Sequence, residues 1–173
     1  MSNNKAISIA IVGGGISGVT LGIALIQRGV NVQIFEQAKK FGEIGAGVAF
    51  NPAATRAMKL CSDDVYHAFE QVATRNQWED KKTTWFDWVD GFNDEEVGKE
   101  EYCFSIKNEF GANAVHRAHF LDKLVHAVPE GVTHFNKHLD TIEEQSSGEL
   151  TLRFHDGTSA TADAGSLHPA LCN

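Results

Sequence analysis

The apolar positions of this 173-residue chain change their period several times, and the first change is the most informative. Ile7 to Val12 is a short, nearly continuous apolar run rich in β-branched residues. It is too short for a helix and predicts a strand buried on both faces of a parallel sheet. From Val19 to Ile26 the apolar residues recur with helical spacing, and Gly29 supplies a stop. Val30 to Phe35 predicts a second strand, ending on Glu36. Further on, helices are expected over Ala53–Leu60, just after Pro52, over Cys61–Asn76 from the spacing of Val65, Phe69 and Val72, and over Ala118–Ala127. Strands are expected at Thr83–Val89, Val132–Phe135, Leu139–Glu144 and Leu150–Phe154. A His155–Thr158 hairpin turn leads to a return strand near Ser159. Gln37–Phe50, with Gly42, Gly45 and Gly47, and Asp90–Glu101 read as turn and loop.

Gly13, Gly15 and Gly18 fill the joint between the first strand and its helix in G-x-G-x-x-G spacing. The first glycine permits a tight turn, the second lets the backbone approach a pyrophosphate, and the third lets helix and strand pack closely. The helix start then offers unpaired N–H groups and the positive end of its dipole to phosphate. Glu36, at the tip of the second strand, is placed to accept hydrogen bonds from a ribose hydroxyl. Strand, glycines, helix, strand and acid in one register predict a dinucleotide site.

Composition narrows the partners. The formal charge of −8, with no Lys/Arg cluster, argues against a nucleic-acid partner. Cys61, Cys103 and Cys172 are odd in number and widely spaced, which points to reduced thiols rather than a disulfide framework or zinc site. His116 and His119 read as a helical surface pair, and no metal is expected. The start of the chain lacks a signal-peptide pattern, and no apolar run reaches the roughly 20 residues of a membrane span. The expectation is a cytoplasmic protein. Trp78, Trp85 and Trp88 could line an aromatic pocket or pack a sheet face against a neighbouring domain.

Four stretches, IAIVGGGISGVTLGIAL, VNVQIFEQA, EIGAGVAFNPAATRAMKL and VHRAHFLDKL, followed by FNKHLDTIEEQSSGELTLRFHDGTSATADA, carry a further likeness. In this order and spacing the chain resembles the FAD-dependent aromatic hydroxylases, the salicylate-hydroxylase-like branch of the class A flavoprotein monooxygenases. The likeness runs from about Ile7 to Ala164. It implies an α/β Rossmann-like FAD/NAD(P)-binding fold with part of an inserted β-sheet substrate region. By the resemblance, Gly13, Gly15 and Gly18 hold the FAD pyrophosphate and Glu36 the adenosine ribose. Gly47 and Ala49 lie along the cofactor, Arg117 reaches its flavin side, and Leu139 contacts adenine. The implied reaction uses NAD(P)H to reduce the flavin and O₂ to hydroxylate a small aromatic acid. No catalytic residue is assigned.

The expected organisation is an FAD-binding part over 6–76, the start of a substrate-region insertion over 77–112, and a return to the FAD-binding part over 113–164. Residues 165–173 are expected to be a tail unrelated to the family, because Pro169 cannot donate to a ladder and GSLHPALCN lacks strand patterning. The family's apolar strand and Gly-Ala-Asp-Gly motif are absent there. On this reading the chain is an N-terminal portion of a monooxygenase, truncated, and weakly active or inactive alone. Its exposed apolar surface is expected to promote association. The alternatives are a non-catalytic FAD-binding fragment and a compact NAD(P)-binding protein.

Overall fold

The apolar run at the start of the chain forms β1 (Ser8–Val12), in a computed structural model that describes residues 6–42, 46–90 and 101–168. It is followed by α1 (Ile16–Ile26) and β2 (Asn31–Phe35), the β-α-β unit the sequence predicts. β1 and β2 pair in parallel, Ile9 with Val32 and Ile11 with Ile34. Two further strands complete this sheet. β7 (Thr133–His134) lies beside β2, and β11 (Ala164–Leu167) beside β1, giving the order β11-β1-β2-β7.

β11 corrects the sequence reading. Residues 165–167 are not a tail without strand structure but the body of a parallel strand, with Ala10 opposite Gly165 and Val12 opposite Leu167. The His168 N–H continues the ladder to the Val12 carbonyl at 2.7 Å. A free edge of β1 makes a strand of a segment that composition alone does not favour. Pro169 and the residues after it lie outside the described residues.

The pleat of β1 sorts its side chains into two cores. Ile11, with Val32 and Ile34, faces α1, where Leu21, Leu25 and Ile26 cover it. Ala10, with Phe35, faces the antiparallel meander of β8 (Leu139–Glu144), β9 (Leu150–Phe154) and β10 (Ser159–Ala162). Leu152, Phe154 and Ala162 fill that side. The described residues thus form three layers: helices, parallel sheet and meander.

The largest core cluster lies among the helices. α2 (Pro52–Cys61), α3 (Asp63–Glu70) and α4 (Arg117–Val125) contribute Met58, Val65, Phe69, Phe120, Leu121 and Leu124, packed against Val19 and Ile23 of α1. Phe69 and Phe120 are fully buried and meet edge to face at 5.8 Å. Each contributes about 1.5–3 kcal/mol from burial alone. The single helix expected over Cys61–Asn76 is shorter and separate: Ser62 is extended (φ −170°, ψ 138°), and its hydroxyl caps the start of α3.

Two small ribbons complete the fold. β3 (Gly47–Ala49) pairs antiparallel with β6 (Ala114–His116), so Gly47 and Ala49 stand in a strand rather than the expected turn. β4 (Thr84–Asp90) pairs with β5 (Glu101–Lys107), a strand the sequence reading lacked. An isolated bridge between Thr74 and Ala114 closes the neck from which this hairpin projects. No described helix is long and apolar enough to cross a membrane.

Candidate functional site

The chain leaves β1 through Gly13, whose φ of +106° belongs to the region that L side chains rarely adopt. A side chain there would also strike the His168 carbonyl, because the backbone beyond β11 passes over this turn. Gly18 has a different need. A Cβ on it would collide with the Gly13 carbonyl, so only a glycine lets the first turn of α1 close against the loop.

The start of α1 is bare. Gly15 is its N-cap, no side chain caps it, and no acidic residue stands in its first turn. Its leading N–H groups and the positive end of the helix dipole are therefore offered to an outside anion.

Glu36 follows β2 and is half-buried. Its Oε2 accepts the Gly14 N–H at 2.6 Å and its Oε1 the Ala38 N–H at 2.8 Å. These bonds aim the carboxylate at the glycine loop, and each oxygen keeps acceptor capacity for a hydroxyl. Gly13, Gly15, Gly18 and Glu36 are thus gathered at one end of the parallel sheet. Leu139 lies nearby along the chain: the Lys137 N–H donates to the Glu36 carbonyl at 2.9 Å, and Asn136 to Ala38 at 3.0 Å. Leu139 itself is half-buried, pairs with Phe154 and packs on the meander core.

Gly47, Ala49 and Arg117 belong to the second part of the site. In the β3–β6 ribbon, Val48 and Val115 turn inward to the helical core, which leaves Gly47, Ala49, Ala114 and His116 on the open face. Gly47 stands opposite His116, and Arg117 begins α4 with its N–H donating to the Ala46 carbonyl at 3.0 Å. A Cβ on Gly47 would meet nothing within 4 Å. The start of α4 resembles that of α1, with no side-chain cap and no acid in its first turn. His116 is the N-cap residue in β6, not a helical residue as expected, and its ring lies 4.3 Å from that of His119.

A cavity of about 510 Å³ lies between Phe41, Gly42 and α4, where His119 and Asp122 line it. Another, of about 270 Å³, lies at the opposite end of β1 and β2 beside Ser8, Asn31 and Gln33. The aromatic side chains of β4 line neither of these cavities. Phe86 and Trp88 of β4 stand with Ile106 and Phe104 of β5 on one exposed hairpin face, Trp88 stacked on Phe104 at 5.8 Å. The sequence reading missed Gly14, Ala38 and Phe41 as partners of the loop. It also missed a group behind the ribbon, Glu70, Arg75 and Asn113. Only Gly14 carried a local signal, as the middle of three glycines.

A family model described as FAD-NAD(P)-binding matches residues 10–167. The chain is 46% identical over 170 residues to the FAD-dependent monooxygenase azaH of Aspergillus niger, covering 94% of this chain and 38% of that protein. It is 41% identical to the 6-methylsalicylate 1-monooxygenase atA of Aspergillus terreus, with 94% of this chain and 37% of that one covered. It is 42% identical to a salicylate hydroxylase of Pseudomonas putida, covering 94% and 36%. Among solved structures, a salicylate hydroxylase substrate complex superposes with a TM-score of 0.69 at 26% identity, covering 93% of this chain and 35% of that one. The chain spans a little over a third of the length of these relatives. The family match also runs to residue 167, past the boundary expected at 164, so β11 falls inside it. The chain belongs to the FAD-NAD(P)-binding family.

Proposed function

We propose that this chain binds FAD and contributes the cofactor-binding part of an aromatic hydroxylase of the salicylate 1-monooxygenase type. The observation that carries the reading is the bare start of α1 beside a glycine loop whose Gly14 N–H is tied to the Glu36 carboxylate. Main-chain N–H groups and the dipole of α1 bind the pyrophosphate. Glu36 receives the adenosine ribose hydroxyls, and Leu139 lies toward the adenine. Gly47 and Ala49, on the open face of the β3–β6 ribbon, run beside the flavin half, with Arg117 at the start of α4. When bound, the flavin supplies the redox chemistry with NAD(P)H as reductant, and the protein positions and shields it. A small aromatic acid is the substrate class. The exposed Phe86, Trp88, Phe104 and Ile106 face supports association through apolar surface.

The test is titration of the chain with FAD, read by flavin fluorescence, in wild type, Gly15→Val and Gly47→Val. Saturable binding is expected in wild type and none in Gly15→Val, whose branched side chain takes the pyrophosphate's space. Gly47→Val fills only open space in the protein, so it should keep the thermal midpoint and weaken FAD about tenfold or more. Binding unchanged in both variants sinks the assignment. A wild type that takes NADPH or NADH but not FAD favours a compact NAD(P)-binding protein.

A further inference from the structure

The β3–β6 ribbon has three residues in each strand, too few to fix its own position. Its anchor lies behind it. Asn113, the residue before β6, is 1% exposed, and its carbonyl accepts the Phe50 N–H at 3.0 Å, just past the end of β3. Its side-chain Oδ1 accepts from Arg75 Nε at 2.8 Å. The Arg75 guanidinium forks onto Glu70 at the end of α3, with Nη1 to Oε2 at 3.0 Å and Nη2 to Oε1. Thr74 and Ala114 exchange both backbone hydrogen bonds, at 2.7 and 3.1 Å. Arg75 also lies over the Phe69 ring, 5.9 Å from its centre, so the fork is seated on the helical core.

We infer that Arg75 is a positioning residue for the flavin half of the cofactor site, acting through Asn113 on the ribbon that presents Gly47, Ala49 and Arg117. This rests on the FAD reading above. A planar guanidinium that meets a carboxylate with two bonds and an amide oxygen with a third is locked in orientation, which a lysine cannot reproduce. It ties helix α3 to both strands of the ribbon at the end away from Arg117. The N–H of Arg117 to the Ala46 carbonyl fixes the other end. α1, which follows the glycine loop, shares the helical core with this group through Val19 and Ile23, but the hydrogen bonds of the Arg75 fork run to α3 and the ribbon and not to the loop or Glu36.

The separation gives the test. FAD and ADP affinities are measured on the same preparations of wild type, Arg75→Ala and Glu70→Gln, FAD by flavin fluorescence and ADP by calorimetry. ADP reaches only the glycine loop and Glu36. Arg75→Ala should weaken FAD about tenfold while ADP binding stays within about twofold, and amide hydrogens at Phe50 and Ala114 should exchange faster. Glu70→Gln keeps the shape and one acceptor, serves as a second variant in which Arg75 stays in place, and should show a smaller loss in the same direction. Equal losses for FAD and ADP would mean general destabilisation and overturn the inference, as would unchanged FAD affinity in both variants. A wild type that binds neither ligand instead removes the cofactor reading itself, and this inference with it.

Discussion

The four α-helices among the described residues begin in two different ways. α2 and α3 are capped from within. Asn51 Oδ1 accepts the Ala54 N–H at 2.8 Å, with Pro52 opening the helix, and Ser62 Oγ accepts the Asp64 N–H at 3.1 Å. Asp63 and Asp64 add negative charge to the first turn of α3. α1 and α4 have no side-chain cap and no acid in the first turn. All four starts leave backbone donors to satisfy, so the difference lies in where the acceptor comes from. The chain supplies its own where the helix only supports the core. It supplies none at the helices that open beside the glycine loop and the β3–β6 ribbon.

That contrast can be inverted at one position. Ser17 is exposed in the first turn of α1. Ser17→Asp should stabilise the fold by about 0.3–1 kcal/mol through the dipole. It should also weaken FAD by about one to two decades, since a carboxylate then stands where the pyrophosphate must sit. Thermal melts and FAD titration on one sample read both; a rise in affinity would show that α1 does not receive the anion. Ser62→Ala makes the opposite case. It should cost about 1 kcal/mol of stability and leave FAD affinity unchanged. A coupled loss of binding would erase the distinction between the two classes of helix start.

The smallest expected effect concerns acid. The hydrogen-bonded Arg75 guanidinium holds the Glu70 carboxyl below its ordinary 4.5. Because the folded value is the lower one, the pair stabilises the protein fully above about pH 4.5, and that contribution drains away as pH falls through the folded value. At this exposure it amounts to less than about 1 kcal/mol. Thermal midpoints of wild type and Glu70→Gln should differ near neutrality and converge in acid. Parallel curves would mean that the pair adds nothing.

The β1–α1–β2 unit was legible because three independent signals coincide there: an apolar run, a switch to helical spacing, and glycines at the joint. Other features had signals that the reading passed over. Ser62-Asp63-Asp64 is a helix-start pattern inside the span where apolar spacing predicts one helix. Tyr102, Phe104 and Ile106 alternate as a strand should, and they are β5. β11 was not legible. Ala164, Gly165 and Ser166 carry no strand preference, and their conformation is set by the open side of β1. The cofactor half built on Gly13, Gly15, Gly18 and Glu36 is local and reads from spacing. The support behind the ribbon joins Arg75 to Asn113 across 38 positions, and no periodicity records that.

The latch between Ser8 and Asp163 has a consequence in time. Ser8 N and Oγ both donate to Asp163 Oδ2, at 2.8 and 2.7 Å, across 155 positions of sequence. β1 leaves the ribosome well before the strand that covers its second edge, which follows only after nearly all the intervening residues. At about 5–20 residues per second, that edge stays open for on the order of ten seconds. An apolar strand with one unpaired edge is a template for another chain. The interval in which a nascent copy is most exposed to its neighbours is therefore set by the pace of translation.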